Sequence, residues 1–106
     1  MTGPATLLAL LALAAPTPGI ATSRVSIVDN AFKPRSAAVN KGSALTWAWK
    51  GHRRHNVYFY SGPRAGRPRN CSSRRSGTCK RRFRRAGSYG YVCTLHGTMV
   101  GSVRVR

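Results

Sequence analysis

Near the C-terminus, Cys93-Thr94-Leu95-His96-Gly97-Thr98-Met99 sets a thiol, an imidazole and a thioether at the spacing C-x2-H-x2-M. Soft sulfur together with imidazole is the donor set that suits copper, above all where the metal must cycle between two oxidation states. A thioether is a poor zinc ligand, so a tetrahedral zinc site fits the trio less well. A fourth donor must come from elsewhere, and the other two histidines are His52 and His55. His55 shares strand parity with Val57 and Phe59 and is expected to point inward with them; His52, beside Arg53 and Arg54, is expected in solvent. The predicted metal ligands are therefore His55, Cys93, His96 and Met99. A Cys–His nucleophilic pair is the enzymatic alternative, and it requires a group to orient the imidazole. Asp29 is the only carboxylate side chain in the protein, with no evident link to either histidine. An enzyme is not expected.

A seven-residue loop can aim three donors at one centre only if its two ends are held at strand spacing. The flanking sequence supplies that frame. Tyr89, Tyr91 and Cys93 alternate toward the loop, and Gly101, Val103 and Val105 alternate away from it. Period-2 patterning also marks Arg24–Ile27, Ala37–Val39, Ala44–Trp49 and His55–Tyr60, and Cys79–Phe83 reads as an edge strand defended by Lys80, Arg81 and Arg82. Asn30–Pro34 breaks the first run, and residues 61–77, rich in Gly, Pro, Ser and Arg, read as one long loop. No window carries a helical stripe. Short strands separated by turns every 8–12 residues predict an all-β sandwich or barrel.

Composition bounds the rest. The chain has 106 residues, enough for one domain. Residues 1–21 hold no charge and five of the seven Leu. Leu7–Ala15 is too short to span a bilayer, which needs roughly 20 apolar residues. It has the length of a secretory h-region, with cleavage expected after Ala21, leaving a domain of residues 22–106 that is exported, periplasmic or otherwise extracytoplasmic, without a membrane span, and expected as a monomer. In an oxidising compartment disulfides persist. Cys71 and Cys79, eight apart, are the expected pair, which leaves Cys93 as the free thiol.

The net charge is +18. Ten of the 19 basic residues lie between Arg64 and Arg85: Arg64, Arg67, Arg69, Arg74, Arg75, Lys80, Arg81, Arg82, Arg84 and Arg85. They form a candidate surface for an acidic redox protein or the anionic cell envelope, or else a solvated Arg-rich loop. A basic polyanion-binding β domain is a further possibility, with Tyr58, Tyr60 or Tyr89 exposed to stack on bases, but export argues against a specific nucleic-acid role.

The run Tyr91–Val103 resembles the C-terminal copper loop of the small blue (type I) copper proteins, the cupredoxins, most closely their amicyanin, pseudoazurin and plastocyanin branches. His55-Asn56-Val57 resembles the segment that carries the first ligand, and Asp29–Pro34 and Val39–Gly42 are similar to the early strands. The resemblance covers residues 24–105. It implies a Greek-key β-sandwich with one copper ion near one end, His55, Cys93 and His96 in a trigonal plane and Met99 as a weak axial ligand. It also implies that the Asn56 backbone N–H donates to the Cys93 sulfur, that the Asn56 side chain ties to Thr94, and that Phe32 packs beneath the metal. The function implied is single-electron transfer between redox partners; copper storage, delivery or resistance is the alternative. Arg54 and Leu95 stand where the family often has Pro, and the Cys71–Cys79 loop is not a general family feature.

Overall fold

The alternation of apolar and polar residues is realised as nine strands: β1 (Arg24–Val28), β2 (Ala31–Lys33), β3 (Ser36–Val39), β4 (Ala44–Trp49), β5 (His55–Ser61), β6 (Cys71–Arg74), β7 (Thr78–Arg82), β8 (Gly87–Val92) and β9 (Val100–Val105). The structure is a computed structural model that describes residues 20–106, and no helix occurs among them. The expected export segment, apart from Ile20 and Ala21, lies outside the described residues.

The strands form two sheets, in the orders β2-β1-β4-β7 and β3-β9-β8-β5-β6. The chain passes repeatedly between them, so β1 pairs in parallel with β4 and β3 with β9, while the other pairings are antiparallel. Two elements depart from the sequence expectation. The segment 30–34 contains β2, which returns antiparallel along β1 and buries only Phe32. The expected loop 61–77 contains β6, pairing His55 with Arg74 and Val57 with Cys71. Each is too short to show a period of its own.

Between the sheets the aliphatic shortage is made up by rings. Trp47 meets Tyr91 at 5.4 Å and Phe59 at 5.8 Å, Phe83 meets Tyr89 at 5.3 Å, and Phe32 meets Tyr91 at 4.7 Å, all edge-on. Edge-to-face pairs bury large apolar area in a favourable ring geometry, which lets a short chain fill a core with few Leu and Ile. Gly101 makes room for this cluster, since a Cβ there would strike the Tyr91 ring. Tyr89 belongs to it too, with its hydroxyl donating to the Arg85 carbonyl at 2.7 Å; the expectation that it is exposed fails, whereas Tyr58 and Tyr60 do face solvent.

The Cys71–Cys79 disulfide is present. Cys71 lies on β6 at the edge of one sheet and Cys79 on β7 at the edge of the other, so the bond staples the open side of the sandwich.

Candidate metal centre

Strands β4 and β8 run toward one end of the sandwich and β5 and β9 run back from it, so their connecting loops meet there. Cys93 and Met99 lie just beyond the β8–β9 ladder, joined by a bond from the Cys93 N–H to the Met99 carbonyl (2.9 Å). Between them His96 N–H donates to Cys93 O (3.2 Å) and Met99 N–H to His96 O (2.9 Å). These two turns return Met99 beside Cys93, which is how the C-x2-H-x2-M spacing becomes a cluster. Cys93 and Met99 are buried, and His96 is half-buried.

His55 opens β5 and is fully buried with Val57 and Phe59, as its parity requires. Its carbonyl accepts from the Trp49 indole N–H at 2.8 Å. Its Nδ1 lies 3.9 Å from the Cys93 Sγ, and its ring centroid lies 5.0 Å from that of His96. Among the described residues, the donor atoms of His55, Cys93 and His96 all fall within 4.8 Å of one another. A metal bonded at about 2.1 Å to nitrogen and about 2.3 Å to sulfur, at trigonal angles, needs those donors about 3.8 Å apart. The observed nitrogen–sulfur separation fits this directly. His52 is exposed, as expected.

The group that orients His55 is Asp29, and here the sequence reading is corrected. The Asp29 carboxylate accepts the His52 N–H (3.0 Å to Oδ1, 3.1 Å to Oδ2) and the Arg53 N–H (2.9 Å), and its Oδ1 lies 3.1 Å from His55 Nε2. A carboxylate facing Nε2 draws the ring proton to that atom and leaves the Nδ1 lone pair directed at Cys93. The Arg53 N–H foremost, then His55 and the His52 N–H, holds the Asp29 carboxyl well below its ordinary value of 3.8. Gly51 leaves space for this knot, because a Cβ there would strike the carboxylate. Asp29 and His55 are 26 residues apart and share no local motif, so no spacing signal could have joined them.

A second brace links the two ligand-bearing segments. Asn56 Nδ2 donates to Thr94 Oγ1 (2.9 Å), and the Thr94 N–H donates to Asn56 Oδ1 (2.8 Å), as the resemblance implied. The expected bond from the Asn56 N–H to the Cys93 sulfur is not among those formed; the polar neighbour of that sulfur is His55. Phe32 packs edge-on against Tyr91 and, with Met99 and Arg35, lines a shallow cleft of about 150 Å³.

Residues 21–106 match the plastocyanin/azurin family of copper-binding proteins. The chain belongs to that family. It is 34% identical over 85 residues to amicyanin-alpha of Methylorubrum extorquens, covering 79% of this chain and 71% of that one. Among solved structures, a reduced Cu(I) form, at pH 4, of an amicyanin with a proline-to-glycine substitution superposes with a TM-score of 0.71 at 26% identity, over 84% of this chain and 86% of that one. A purple cupredoxin from Nitrosopumilus maritimus superposes with a TM-score of 0.69 at 20% identity, over 79% of this chain and 99% of that one, a likeness of fold. The protein is a cupredoxin, a Greek-key β-sandwich for one type I copper ion.

Proposed function

We propose that this cupredoxin is an exported carrier of single electrons, in which His55, Cys93 and His96 would hold copper and Met99 would serve as a weaker fourth donor. The observation that carries the reading is the His55–Cys93–His96 cluster itself, already gathered within 4.8 Å. Copper supplies a one-electron couple there. The protein's part is to keep the donors still in both oxidation states. Asp29 and Trp49 fix His55 from two sides, and the Asn56–Thr94 pair ties its segment to the Cys93 loop. A frame braced in this way limits the rearrangement that accompanies each electron. Met99, from the loop's far end, would tune the potential as a thioether donor.

Full burial of Cys93 withholds it from substrates and favours a carrier over an enzyme using a Cys–His pair, even with Asp29 in the orienting place. Half-buried His96, flanked by exposed Leu95, offers the electron a short way out. The apolar run Leu7–Ala15 supports export with cleavage after Ala21, to the periplasm or another extracytoplasmic space. The charge supports an acidic redox protein as partner.

The test is a visible absorption spectrum of the purified protein titrated with Cu(II). A strong blue thiolate-to-copper band should saturate at one equivalent, and Cys93→Ser should abolish it. A colourless complex, or preference for zinc, would sink the reading.

A further inference from the structure

The ten basic residues between Arg64 and Arg85 are one cluster in sequence, but the topology separates them. Strand β6 runs toward the metal end, where Arg74 pairs with His55, and β7 runs away from it, from Thr78 opposite Ala48 to Arg82 opposite Ala44. The β6–β7 turn therefore sits at the metal end, beside the β4–β5 loop that carries Lys50, Arg53 and Arg54. Arg64, Arg84 and Arg85 belong to the opposite end, where Gly66 approaches Arg85 and Gly62 approaches Ser88 at the start of β8.

The turn is held firmly against the site. The Arg74 guanidinium lies 5.0 Å over the Trp49 ring, whose N–H bonds the His55 carbonyl. Arg74 also donates to Thr78 O (2.9 Å) and Ser72 Oγ (3.2 Å), and the Trp49 backbone N–H donates to Gly77 O (3.0 Å). The disulfide closes the base of the loop that carries this turn from one sheet to the other. A cation fixed in advance loses little freedom on meeting a partner. The only acidic side chain, Asp29, lies at this end and offsets one unit of this charge, leaving the end strongly positive.

We propose that Lys50, Arg53, Arg54, Arg74 and Arg75 form a collar that docks the acidic face of a redox protein, with the disulfide-closed β6–β7 loop as its rigid half. This rests on the electron-carrier reading. Electron transfer weakens steeply with distance, so cations at the metal end can hold a partner productively, whereas those at the other end add only to the long-range field.

Two variants with equal loss of charge test the collar: Lys50→Gln/Arg53→Gln/Arg75→Gln and, at the opposite end, Arg64→Gln/Arg84→Gln/Arg85→Gln. The probe is a decaglutamate peptide, titrated into the 15N-labelled metal-free protein and followed through its backbone amides. Shifts should centre on residues 50–54 and 74–77. The collar variant should lose about tenfold in affinity and the opposite variant less than about twofold, with the rate of oxidation of the Cu(I) form by hexacyanoferrate(III) falling in the same order. Equal losses in the two variants, or shifts centred on 64–67 and 82–86, would overturn the collar. Capture by phosphatidylglycerol vesicles without response to the peptide would also overturn it, making the surface an envelope contact. The peptide arm needs no copper. A colourless protein that still binds the peptide through these residues removes the carrier reading alone, and a blue protein that binds it elsewhere removes the collar alone.

Discussion

Asp29 is the residue on which the site turns most unexpectedly. A chain of net charge +18 keeps its single acidic side chain against the metal-binding end, where three N–H groups converge on it. The ligand loop was legible as a local spacing; its orienting partner was not, because a contact over 26 residues leaves no local trace. Asp29→Asn retains an oxygen for the ring N–H but removes the charge that stabilises the more positive Cu(II) state. We expect Cu(II) affinity to fall by about 10–100-fold, the usual consequence of losing a partner of a metal-bound His, and the potential to rise. Competition titration and voltammetry check the two separately. An unaltered potential would show that Asp29 serves only to fold the 50–54 loop.

At the scale of elements, the long strands β4, β5, β8 and β9 were readable because each buries its large apolar residues at every second position, with only the small Ala48 of β4 buried out of phase. Strands β2 and β6 were not, because Phe32 and Cys71 are their only buried residues and one point defines no period. Position explains why β6 forms nonetheless. It pairs with β5 on one side and is bonded through Cys71 to β7 of the facing sheet. Cys71→Ser/Cys79→Ser releases a loop of about nine residues and should cost roughly 2.5 kcal/mol on the chain-entropy account, read as a lower urea midpoint. The sandwich interior carries a second test. The Tyr91 hydroxyl is buried without a hydrogen-bond partner among the described residues, and burial pushes its pKa up to about 12; Trp47 offsets part of this. The folded state thus favours the neutral phenol, and that preference stabilises the protein fully below the ordinary value of 10.0 and is lost as pH climbs toward about 12. Tyr91→Phe removes both the unpaired hydroxyl and the ionisation. It should stabilise the protein by about 1 kcal/mol at neutral pH and flatten the alkaline limb of the melting profile. A destabilised variant would mean that the hydroxyl is satisfied.

For the whole molecule, the sequence made the amount of charge plain and its arrangement obscure. Cations adjacent in the chain part company because β7 carries its residues away from the end that β6 approaches. Two of the guanidinium groups are also engaged internally: Arg81 donates to the Arg69 and Asn70 carbonyls at 2.8 and 3.0 Å, and Arg67 to the Gly62 carbonyl. Such bonds pin the 62–70 loop but leave the positive charge uncancelled. Burial foremost, and then the basic neighbours Arg69 and Arg74, lowers the Arg81 pKa, so repulsion within the fold contributes the smaller part of the shift. Self-repulsion of this kind favours the expanded chain and is screened by salt, the screening length falling from about 30 Å at 0.01 M to about 10 Å at 0.1 M. Melting temperature should therefore rise by about 5 °C between roughly 0.01 and 0.5 M NaCl, corresponding to about 1 kcal/mol for a domain of this size. Sucrose, which carries no charge, should not reproduce the steep rise at low concentration. A melting temperature indifferent to salt would mean that the fold spaces its cations well enough to relieve their repulsion, and the high charge would then bear on encounter with a partner and hardly on stability.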